Sequence, residues 1–467
     1  MTPALPLTAG VVGAGIAGLS VAIALRRAGA EVEVYERSQF KNEIGAAISA
    51  PPNAAAALRR WGFDFVAAKT VPNLSTRYAA AEDLETTFES RYEDIEDVMG
   101  SPCLSFHRVD LHGGLRALAT EEEGGDTEES RKGGGKGKPV AIHLGCEVQN
   151  VDCENGVLEL AGGRRVQKDL VIIADGAHSK LLTDFLGYQA PVQPTGRSIY
   201  RWLVSMDEVM ANPELAPHYR DKAPGFLGWF DAQNRILWVT YTCRGGTVLN
   251  NAVVYDTAVP KNEEGRNGNE KDMSWHAPAA TDTVLATLSN FHPAALGIVS
   301  MASEDGIVEH RLFHRPPLES FVRGRTAVIG DVAHVMMPTH AAGAAIAIES
   351  ASVLEVLFKD LGSQLRSTAR DQQGFDVEKE RIVKERLRLF DKLRIPRCNL
   401  TMLVSNAGPE GLRRPGLEKE IRRFYHGPLP PSDALPWGDE FREVLFHYDA
   451  FLEAEKALRN RTSEKEK

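Results

Sequence analysis

The N-terminal part of the chain alternates apolar runs with glycine in the order strand, turn, helix, strand. An apolar stretch begins at Leu7, a glycine-rich turn follows, and the alanine-rich segment Ile16–Ala28 has the apolar spacing of a helix. The β-branched run Val32–Tyr35 then predicts a second strand. This order predicts one β-α-β unit.

Two later apolar strands each end at an aspartate. Residues 169–175 read DLVIIAD, and residues 326–331 read TAVIGD. Apolar residues at helical spacing predict helices at Ala344–Leu357 and Val377–Leu393. Strands that alternate with helices are typical of an α/β domain with a largely parallel sheet.

Between Pro191 and Arg323 the pattern changes to alternating aromatic and β-branched segments, as in Ser198–Val204 and Arg235–Thr242. Such alternation predicts a mostly antiparallel sheet inserted into the α/β domain. The predicted division is an α/β domain at 1–190 and 324–405, a sheet domain at 191–323 and a C-terminal extension at 406–467.

Two polar stretches interrupt these patterns. Glu121–Lys138 has no apolar residue and is rich in glycine and charge, so it cannot bury surface to offset the entropy cost of ordering. We therefore predict a flexible insertion at 121–139. Lys261–Asp272 predicts a second mobile loop.

Charge and composition exclude several classes of protein. The formal net charge is -10, from 64 acidic and 54 basic side chains, so the overall field repels nucleic acid and anionic membranes. No apolar run reaches the roughly 18 residues that a membrane-spanning helix needs. We expect neither nucleic-acid binding nor membrane insertion.

The five cysteines are scattered and include no Cys-x-x-Cys pair. This spacing argues against a disulfide framework and against a zinc site, and we expect no metal. The N-terminus lacks the basic start and separate apolar stretch of a secretory signal. We expect a reducing, cytoplasmic location.

A glycine motif follows the first predicted strand. Gly13, Gly15 and Gly18 fit G-x-G-x-x-G, in which the first glycine permits a tight turn, the second admits a pyrophosphate and the third allows close helix packing. Glu36 ends the next strand, where its carboxylate can accept hydrogen bonds from ribose hydroxyls. The alternative is a tight turn without a ligand, but the full context favours dinucleotide binding.

The two other strand ends add acids to the same predicted site. Asp175 and Asp331 each lie at the carboxyl end of a strand, where open α/β sheets bind ligands. A helix with a small-residue N-terminus follows Asp331, and its dipole stabilises a ring that becomes anionic on reduction.

These motifs carry a family resemblance. GAGIAG with Glu36, ADGAHS at 174–179 and IGDVAHVMMP at 329–338 resemble the group A flavoprotein monooxygenases, the para-hydroxybenzoate hydroxylase superfamily, and most closely its salicylate-hydroxylase-like branch. The resemblance covers nearly the whole chain apart from the polar stretches. It implies a Rossmann-like FAD-binding domain of the glutathione-reductase type and an inserted substrate domain.

The resemblance also implies residue roles. Glu36 would bind the adenosine ribose, Arg108 the pyrophosphate region, and Asp175 both FAD and the nicotinamide of NAD(P)H. Asp331 would bind the ribityl chain or the pyrophosphate side. The remaining implied FAD contacts are Arg37, Ala47, Pro338, Gly343 and Ala344. Because a second full glycine motif is absent, NAD(P)H is expected to visit transiently.

Some positions depart from the family pattern. Leu182 stands where relatives carry arginine after the Asp-Gly pair, which puts the nicotinamide-related role of that segment in doubt. Ala341 and Ala345 stand in a loop that is richer in glycine in relatives, so we expect both to have φ below zero. Ser350 replaces a second acid.

The implied reaction places one oxygen atom on a small electron-rich ring. Reduced FAD combines with O2 to a C4a-hydroperoxide, which a nucleophilic ring carbon of a phenol or aromatic acid attacks. Candidate pocket residues are Arg201, which can pair with a carboxylate or phenolate, Tyr241, which can orient a ring oxygen, and His340, which can relay protons. The alternatives are a structural salt bridge for Arg201 and core packing for Tyr241 and His340.

Other functions remain open from sequence. One is an FAD enzyme that epoxidises or dearomatises a larger indole or polyketide. Another is a non-enzymatic binding protein on the same fold, as in the Rab GDP-dissociation inhibitors, although Glu36 and Asp331 argue against it. A third is an FAD oxidase or dehydrogenase. We expect a monomer or homodimer.

Overall fold

The computed structural model describes residues 7–40, 46–122, 137–257, 277–359, 361, 364–365 and 372–465. The predicted mobile loop at 261–272 and most of the predicted flexible insertion at 121–139 lie outside these residues. None of the described helices is long and apolar enough to cross a membrane.

The strands are, in chain order, β1 Thr8–Val12, β2 Glu31–Glu36, β3 Ala47–Ala50, β4 Val71–Pro72, β5 Ser75–Ala80, β6 Thr86–Arg91, β7 Leu104–His107, β8 Ala141–Leu144, β9 Val148–Asp152, β10 Val157–Leu160, β11 Arg165–Gln167, β12 Leu170–Ile173, β13 Gln193–Ser205, β14 Gly225–Asp231, β15 Ile236–Cys243, β16 Val248–Asp256, β17 Ala277–Pro278, β18 Val308–His314, β19 Val322–Arg323 and β20 Thr326–Val328.

The helices are, in chain order, α1 Ile16–Arg27, α2 Pro52–Trp61, α3 Ile95–Met99, α4 Arg108–Thr120, α5 Leu181–Leu186, α6 Met206–Ala211, α7 Thr281–Thr287, α8 Pro293–Ser300, α9 Asp331–His334, α10 Gly343–Phe358, α11 Gln372–Asn406, α12 Leu417–Ile421, α13 Asp439–Phe446 and α14 Ala450–Lys465. A single 3-10 turn, Pro338–His340, connects α9 to α10.

The first sheet is the predicted parallel one. Its order is β19-β20-β12-β1-β2-β8, and every pair is parallel except β19 with β20. Helix α1 packs on its central strands β1, β2 and β12, helices α4 and α10 pack against α1, and strand β12 is buried along its whole length. The predicted β-α-β unit and the Rossmann-like α/β class are confirmed.

The second sheet has eight strands in the order β17-β18-β13-β16-β15-β14-β5-β6. All its pairs are antiparallel except β14 with β5. One face carries Trp202, Trp229 and Trp238, which form a buried aromatic cluster in which Trp238 lies 5.2 Å from Trp202 and 5.1 Å from Trp229 between ring centroids.

The predicted domain boundary needs one correction. Strands β5 and β6 come from residues 75–91, which the sequence pattern assigned to the α/β domain, yet they extend the second sheet. The reason is the parallel pairing of β14 with β5, in which Gly225 lies opposite Ser75. Such a long-range pairing leaves no signal in the local pattern.

A buried ionic cluster fixes helix α10 against α2 and α11. The Glu349 carboxylate accepts hydrogen bonds from Arg394 at 2.8 Å, Arg397 at 2.8 Å and the Asn53 amide at 2.5 Å. Burial is the largest single effect and raises the pKa of Glu349, but the two guanidinium groups and the hydrogen bonds to the carboxylate together hold this pKa below its usual value. The first turns of α10 are therefore held in position relative to α2 and α11.

Candidate active site

A cavity of about 1400 Å³ lies between the carboxyl edge of the parallel sheet and one face of the second sheet. This volume exceeds the roughly 300–1,000 Å³ of a pocket for one drug-sized ligand, so the cavity has room for a large cofactor and a substrate. It is lined by every residue that the sequence singled out for the site except Gly18 and His340.

The glycine motif has the geometry that its spacing predicts. Gly13 has φ of +95°, and a Cβ there would lie 2.6 Å from the Ala174 carbonyl oxygen. A Cβ on Gly18 would lie 1.9 Å from the Gly13 oxygen, which explains the close helix packing. A Cβ on Gly15 would meet nothing within 4 Å, because Gly15 faces the cavity. The loop therefore leaves space for a ligand at Gly15.

Glu36 stands beside this loop at the end of β2. One carboxylate oxygen accepts the Ala14 N–H at 2.8 Å and the other accepts the Ser38 N–H at 2.7 Å. These bonds fix the carboxylate and leave each oxygen a further lone pair for a ligand hydroxyl. The neighbouring Arg37 is exposed and also lines the cavity.

Asp175 carries an unused acceptor into the cavity. Its Oδ1 atom is buried and accepts no hydrogen bond within the described part of the chain. Burial raises the pKa of Asp175 to about 6, and the nearby Ser179 hydroxyl opposes that shift only in part. A buried acceptor without a donor is costly, so this carboxyl is suited to a ligand donor.

Asp331 lies where the third strand end meets helix α10. Its side chain is exposed to the cavity, although protein surrounds the carboxylate group. One carboxylate oxygen lies 4.0 Å from the position that a Cβ on Gly343 would take. Burial raises the pKa of Asp331, while Arg108 and Arg315 lower it.

Helix α10 presents an uncapped N-terminus to the same space. Its N-cap residue, Ala342, makes no side-chain hydrogen bond, and Gly343, Ala344 and Ala347 line the cavity. Free N–H groups and the helix dipole stabilise negative charge there.

The face of the second sheet contributes Arg201 and Tyr241. Arg201 has a buried Nε atom without a partner, and burial lowers the pKa of its guanidinium. Within the described residues it forms no ion pair, so the structural salt bridge considered from sequence is absent there. The surrounding lining is apolar and includes Ile199, Leu237 and Val239.

Tyr241 connects the second sheet to strand β3, which belongs to a small three-stranded sheet with β7 and β4. Its hydroxyl donates to the Ala47 carbonyl oxygen at 2.9 Å, and the Asn250 side chain accepts the Ala47 N–H at 3.0 Å. Both backbone groups of Ala47 are thus held by the second sheet. The Tyr241 ring lines the cavity, and its hydroxyl oxygen can still accept a hydrogen bond.

His340 does not line the cavity, contrary to the placement expected from sequence. Its ring packs on Phe441 at a centroid distance of 4.7 Å, and its Nδ1 lies 3.2 Å from the Ser405 hydroxyl. The 3-10 turn directs the ring into the C-terminal helices, where burial lowers its pKa to about 3. His340 is therefore a neutral packing residue in this structure.

The loop before α10 also differs from expectation. Ala345 is helical, but Ala341 has φ of +50°, so the expectation of φ below zero is wrong at Ala341. The cost of this conformation, about 1 kcal/mol, is offset by anchors on α11. Thr339 Oγ1 donates to the Ser405 oxygen at 2.8 Å, and the Met337 N–H donates to Asn406 Oδ1 at 2.8 Å.

Sequence reasoning missed Arg315, which follows β18. Its guanidinium donates to the carbonyl oxygens of Ala177 at 2.8 Å, Val332 at 2.9 Å and Ala190 at 2.8 Å. It is 4% exposed and lies between the turns that carry Asp175 and Asp331. A lone arginine in a loop gives no local signal for such a position.

Leu182 illustrates the departure from the family pattern. It is buried at 2% exposure within α5 and packs in the main core. This position therefore contributes no charge to the cavity. Lys180, which directly precedes α5, does line the cavity.

Comparison with known proteins identifies the family. Residues 11–49 match the model of an NAD(P)-binding Rossmann-like domain. The chain is 31% identical over 407 residues to the FAD-dependent monooxygenase cfoG of Aspergillus candidus, covering 86% of this chain and 85% of the relative. It is 30% identical over 457 residues to hispidin-3-hydroxylase of Neonothopanus nambi, covering 96% and 95%. The chain belongs to the FAD-dependent monooxygenases.

Several solved structures share the fold of this monooxygenase. A salicylate hydroxylase in complex with substrate superposes with a TM-score of 0.69 at 23% identity, covering 97% of this chain and 98% of the other. The crystal structure of FqzB superposes with a TM-score of 0.68 at 21% identity, covering 100% and 96%. At these identities the likeness establishes the architecture of the monooxygenase, an FAD-binding domain with a substrate domain.

The cavity residues of the monooxygenase fit FAD. The open cradle at Gly15 suits a pyrophosphate, the free lone pairs of Glu36 suit ribose hydroxyls, and the unpaired Asp175 oxygen suits a ligand donor. Asp331 and the α10 N-terminus complete the site.

A pH-dependent stability is expected from Asp175. Its pKa is about 6 when folded and about 3.8 when unfolded, so the folded chain keeps a proton that the unfolded chain releases. Stability therefore falls as pH rises between these values and stays reduced above pH 6. In flavin-free protein above pH 6, Asp175→Asn should raise the free energy of unfolding by about 1–3 kcal/mol.

Urea unfolding of flavin-free protein across pH checks this expectation. The advantage of the Asn variant should disappear below pH 4, where the carboxyl is protonated in both states. A variant that is less stable than the parent at neutral pH would contradict the assignment of an unpaired buried carboxyl.

Arg315→Met should destabilise the monooxygenase strongly. The substitution removes the Arg315 donor from two buried carbonyl oxygens and one part-buried carbonyl oxygen, and it removes a cation between Asp175 and Asp331. We expect the free energy of unfolding to fall by about 3 kcal/mol, with weaker flavin retention.

The matched control is Arg423→Met. Arg423 pairs with Glu319 at 2.6 Å, but the two side chains are 61% and 73% exposed. An exposed ion pair contributes less than about 1 kcal/mol, so the free energy of unfolding of this variant, measured by chemical denaturation, should be close to that of the parent. Equal losses in both variants would count against a special role for Arg315.

Proposed function

We propose that this FAD-dependent monooxygenase uses NAD(P)H and O2 to hydroxylate a small phenol or aromatic acid. The observation that carries the proposal is Arg201, a half-buried cation whose Nε atom is buried and which has no ion-pair partner within the described residues, on an apolar face of the cavity. A cation left uncompensated in apolar surroundings is costly, and an anionic oxygen of a substrate would compensate it.

The substrate lies, in this proposal, in the space between the second sheet and the loop Pro338–Gly343, which we call the substrate chamber. When bound, FAD would accept electrons from NAD(P)H and activate O2, one atom of which enters the ring while the other leaves as water. Arg201 favours the phenolate form of a phenol, which makes the ring a stronger nucleophile. The apolar chamber walls exclude water from the reacting atoms.

The names of relatives support aromatic substrates with acidic oxygens. They include a 6-hydroxynicotinate 3-monooxygenase of Bordetella bronchiseptica, 25% identical over 368 residues, and a 3-amino-4-hydroxybenzoate 2-monooxygenase of Streptomyces platensis, 27% identical over 357 residues. Both names describe a ring that carries a hydroxyl and a carboxyl group. A guanidinium binds either group by charge-assisted hydrogen bonds.

Substrate-stimulated oxidation of NAD(P)H tests the proposal. Phenols and aromatic acids are screened with the FAD-loaded enzyme, and the product of each active compound is identified under labelled O2. One labelled oxygen atom on the ring is expected. Oxidation without incorporated label would show an oxidase or dehydrogenase, and an epoxide or dearomatised product would replace the proposed reaction by the alternative one.

A further inference from the structure

The C-terminal extension reaches the cavity, which nothing in its sequence pattern indicated. Gly408, Pro436 and Trp437 line it, although they lie outside both predicted domains. Trp437 is large, rigid and 5% exposed. Its indole occupies the gap between the loop that precedes α10 and the second sheet.

Contacts on several sides hold the indole in place. Its N–H donates to the Thr339 carbonyl oxygen at 3.3 Å, next to the chamber residue Pro338. Its ring contacts Phe226 of β14 at a centroid distance of 4.3 Å and Phe446 of α13 at 5.1 Å. The Trp437 carbonyl oxygen also accepts a hydrogen bond from the buried Arg442.

These contacts continue into a wall along the chamber. Phe226 packs edge-on against Tyr241 at 5.0 Å, and Tyr241 is close enough to Arg201 to affect its pKa. Phe226, Tyr241 and Trp437 all line the cavity, and we call them the aromatic wall. The order along this wall is Arg201, Tyr241, Phe226 and then Trp437.

We propose that Trp437 is a specificity-determining residue that limits the length of the aromatic substrate. This inference rests on the proposed function, in which Arg201 holds an oxygen at one end of the substrate. A ring anchored there extends along the aromatic wall and meets the Trp437 indole at the other end. Because the indole is held by Thr339, Phe226 and Phe446, it cannot yield to a longer substrate at low cost.

The test measures binding of phenols of increasing length to the FAD-loaded enzyme. Phenol, para-phenylphenol and para-hydroxystilbene are titrated while the flavin absorbance spectrum is followed, which requires no turnover. The unmodified enzyme should bind phenol far more tightly than para-hydroxystilbene. Trp437→Ala should bind para-hydroxystilbene at least about tenfold more tightly than the unmodified enzyme does, with the Kd of phenol nearly unchanged.

Two further variants separate length selection from stability. Trp437→Phe keeps an aromatic ring of smaller size and should give an intermediate ratio of the two Kd values. Leu435→Ala is the matched control, because Leu435 is 40% exposed in the same segment and does not line the cavity. Its Kd ratio should equal that of the unmodified enzyme. If Trp437→Ala fails to fold or to retain FAD, the Kd ratio of Trp437→Phe is compared with that of the unmodified enzyme to test the length limit.

Equal Kd ratios in the Trp437 variants and the unmodified enzyme would overturn the inference. Tight binding of para-hydroxystilbene by the unmodified enzyme would overturn it as well. The proposed function alone fails if binding depends on substrate length as expected but no phenol or aromatic acid stimulates NAD(P)H oxidation. If no phenol binds to any variant, the phenolic substrate class and the length limit at Trp437 both fail.

Discussion

Asp331→Ala is expected to yield folded protein that purifies without its yellow colour. Asp331 faces the cavity at the meeting point of a strand end and the uncapped N-terminus of α10, next to Gly343. A carboxylate there offers charge-assisted hydrogen bonds to cofactor hydroxyls, each contributing about 1.5–3 kcal/mol. Loss of one such bond weakens FAD binding by about tenfold to a hundredfold.

Flavin absorbance per protein and titration of stripped protein with FAD check this result. Removal of the carboxyl should not unfold the chain, because burial raises the pKa of Asp331 and makes its charge unfavourable in the empty site. Asp331→Asn keeps hydrogen-bonding capacity and should lie between the parent and the Ala variant. The control Asp282→Ala changes an exposed acid of α7 and should remain yellow. Normal flavin content in Asp331→Ala would remove Asp331 from the FAD site.

Arg201→Ala should keep FAD and lose affinity for its aromatic substrate. Arg201 lines the chamber on β13 and forms no ion pair within the described residues, so its charge is available to a ligand. Hydrogen bonds to charged groups contribute about 1.5–3 kcal/mol, which corresponds to a rise in KM of about tenfold to a hundredfold. A larger share of the oxidised NAD(P)H should yield peroxide instead of product.

The pH profile gives a second measure of Arg201. A guanidinium beside a phenol favours the phenolate, so its removal should shift the activity profile toward higher pH. The matched control is Arg197→Ala on the same strand, because Arg197 also lines the cavity but pairs with Asp256 at 2.9 Å. Similar kinetic losses in both variants would mean that Arg201 acts through general charge and does not bind the substrate.

The position of the glycine turn and of the strand-end acids at the cavity could be predicted from sequence, because it follows from turn length and strand order. The positive φ of Gly13 and the close packing of Gly18 follow from a turn of fixed length between β1 and α1. Asp175 and Asp331 lie at the cavity because parallel strands end at the same edge of a sheet. Spacing along the chain therefore determines position in space for these residues.

Other parts depend on contacts between distant segments. Arg315 binds the carbonyl oxygen of Ala177, 138 positions away, and β14 pairs with β5 across a similar separation. The expected placement of His340 was wrong because its ring packs against Phe441 and Ser405, which lie about 100 and 65 positions later in the chain. No local periodicity records such contacts.

The positive φ of Ala341 has the same origin. An isolated loop would favour glycine there, but α11 anchors the neighbouring residues Thr339 and Met337 and over-determines the backbone. A preference for φ below zero is a sound local expectation that tertiary contacts override.

The double hydrogen bond at Ala47 has a consequence for the catalytic cycle. Moving β3 away from the second sheet would break the hydrogen bonds from both backbone groups of Ala47 to Asn250 and Tyr241. Admitting an aromatic compound by moving β3 would therefore cost the free energy of both hydrogen bonds, about 1–3 kcal/mol in all. We expect substrate entry and product release to depend on small displacements at the cavity mouth, while β3 stays bound to the second sheet.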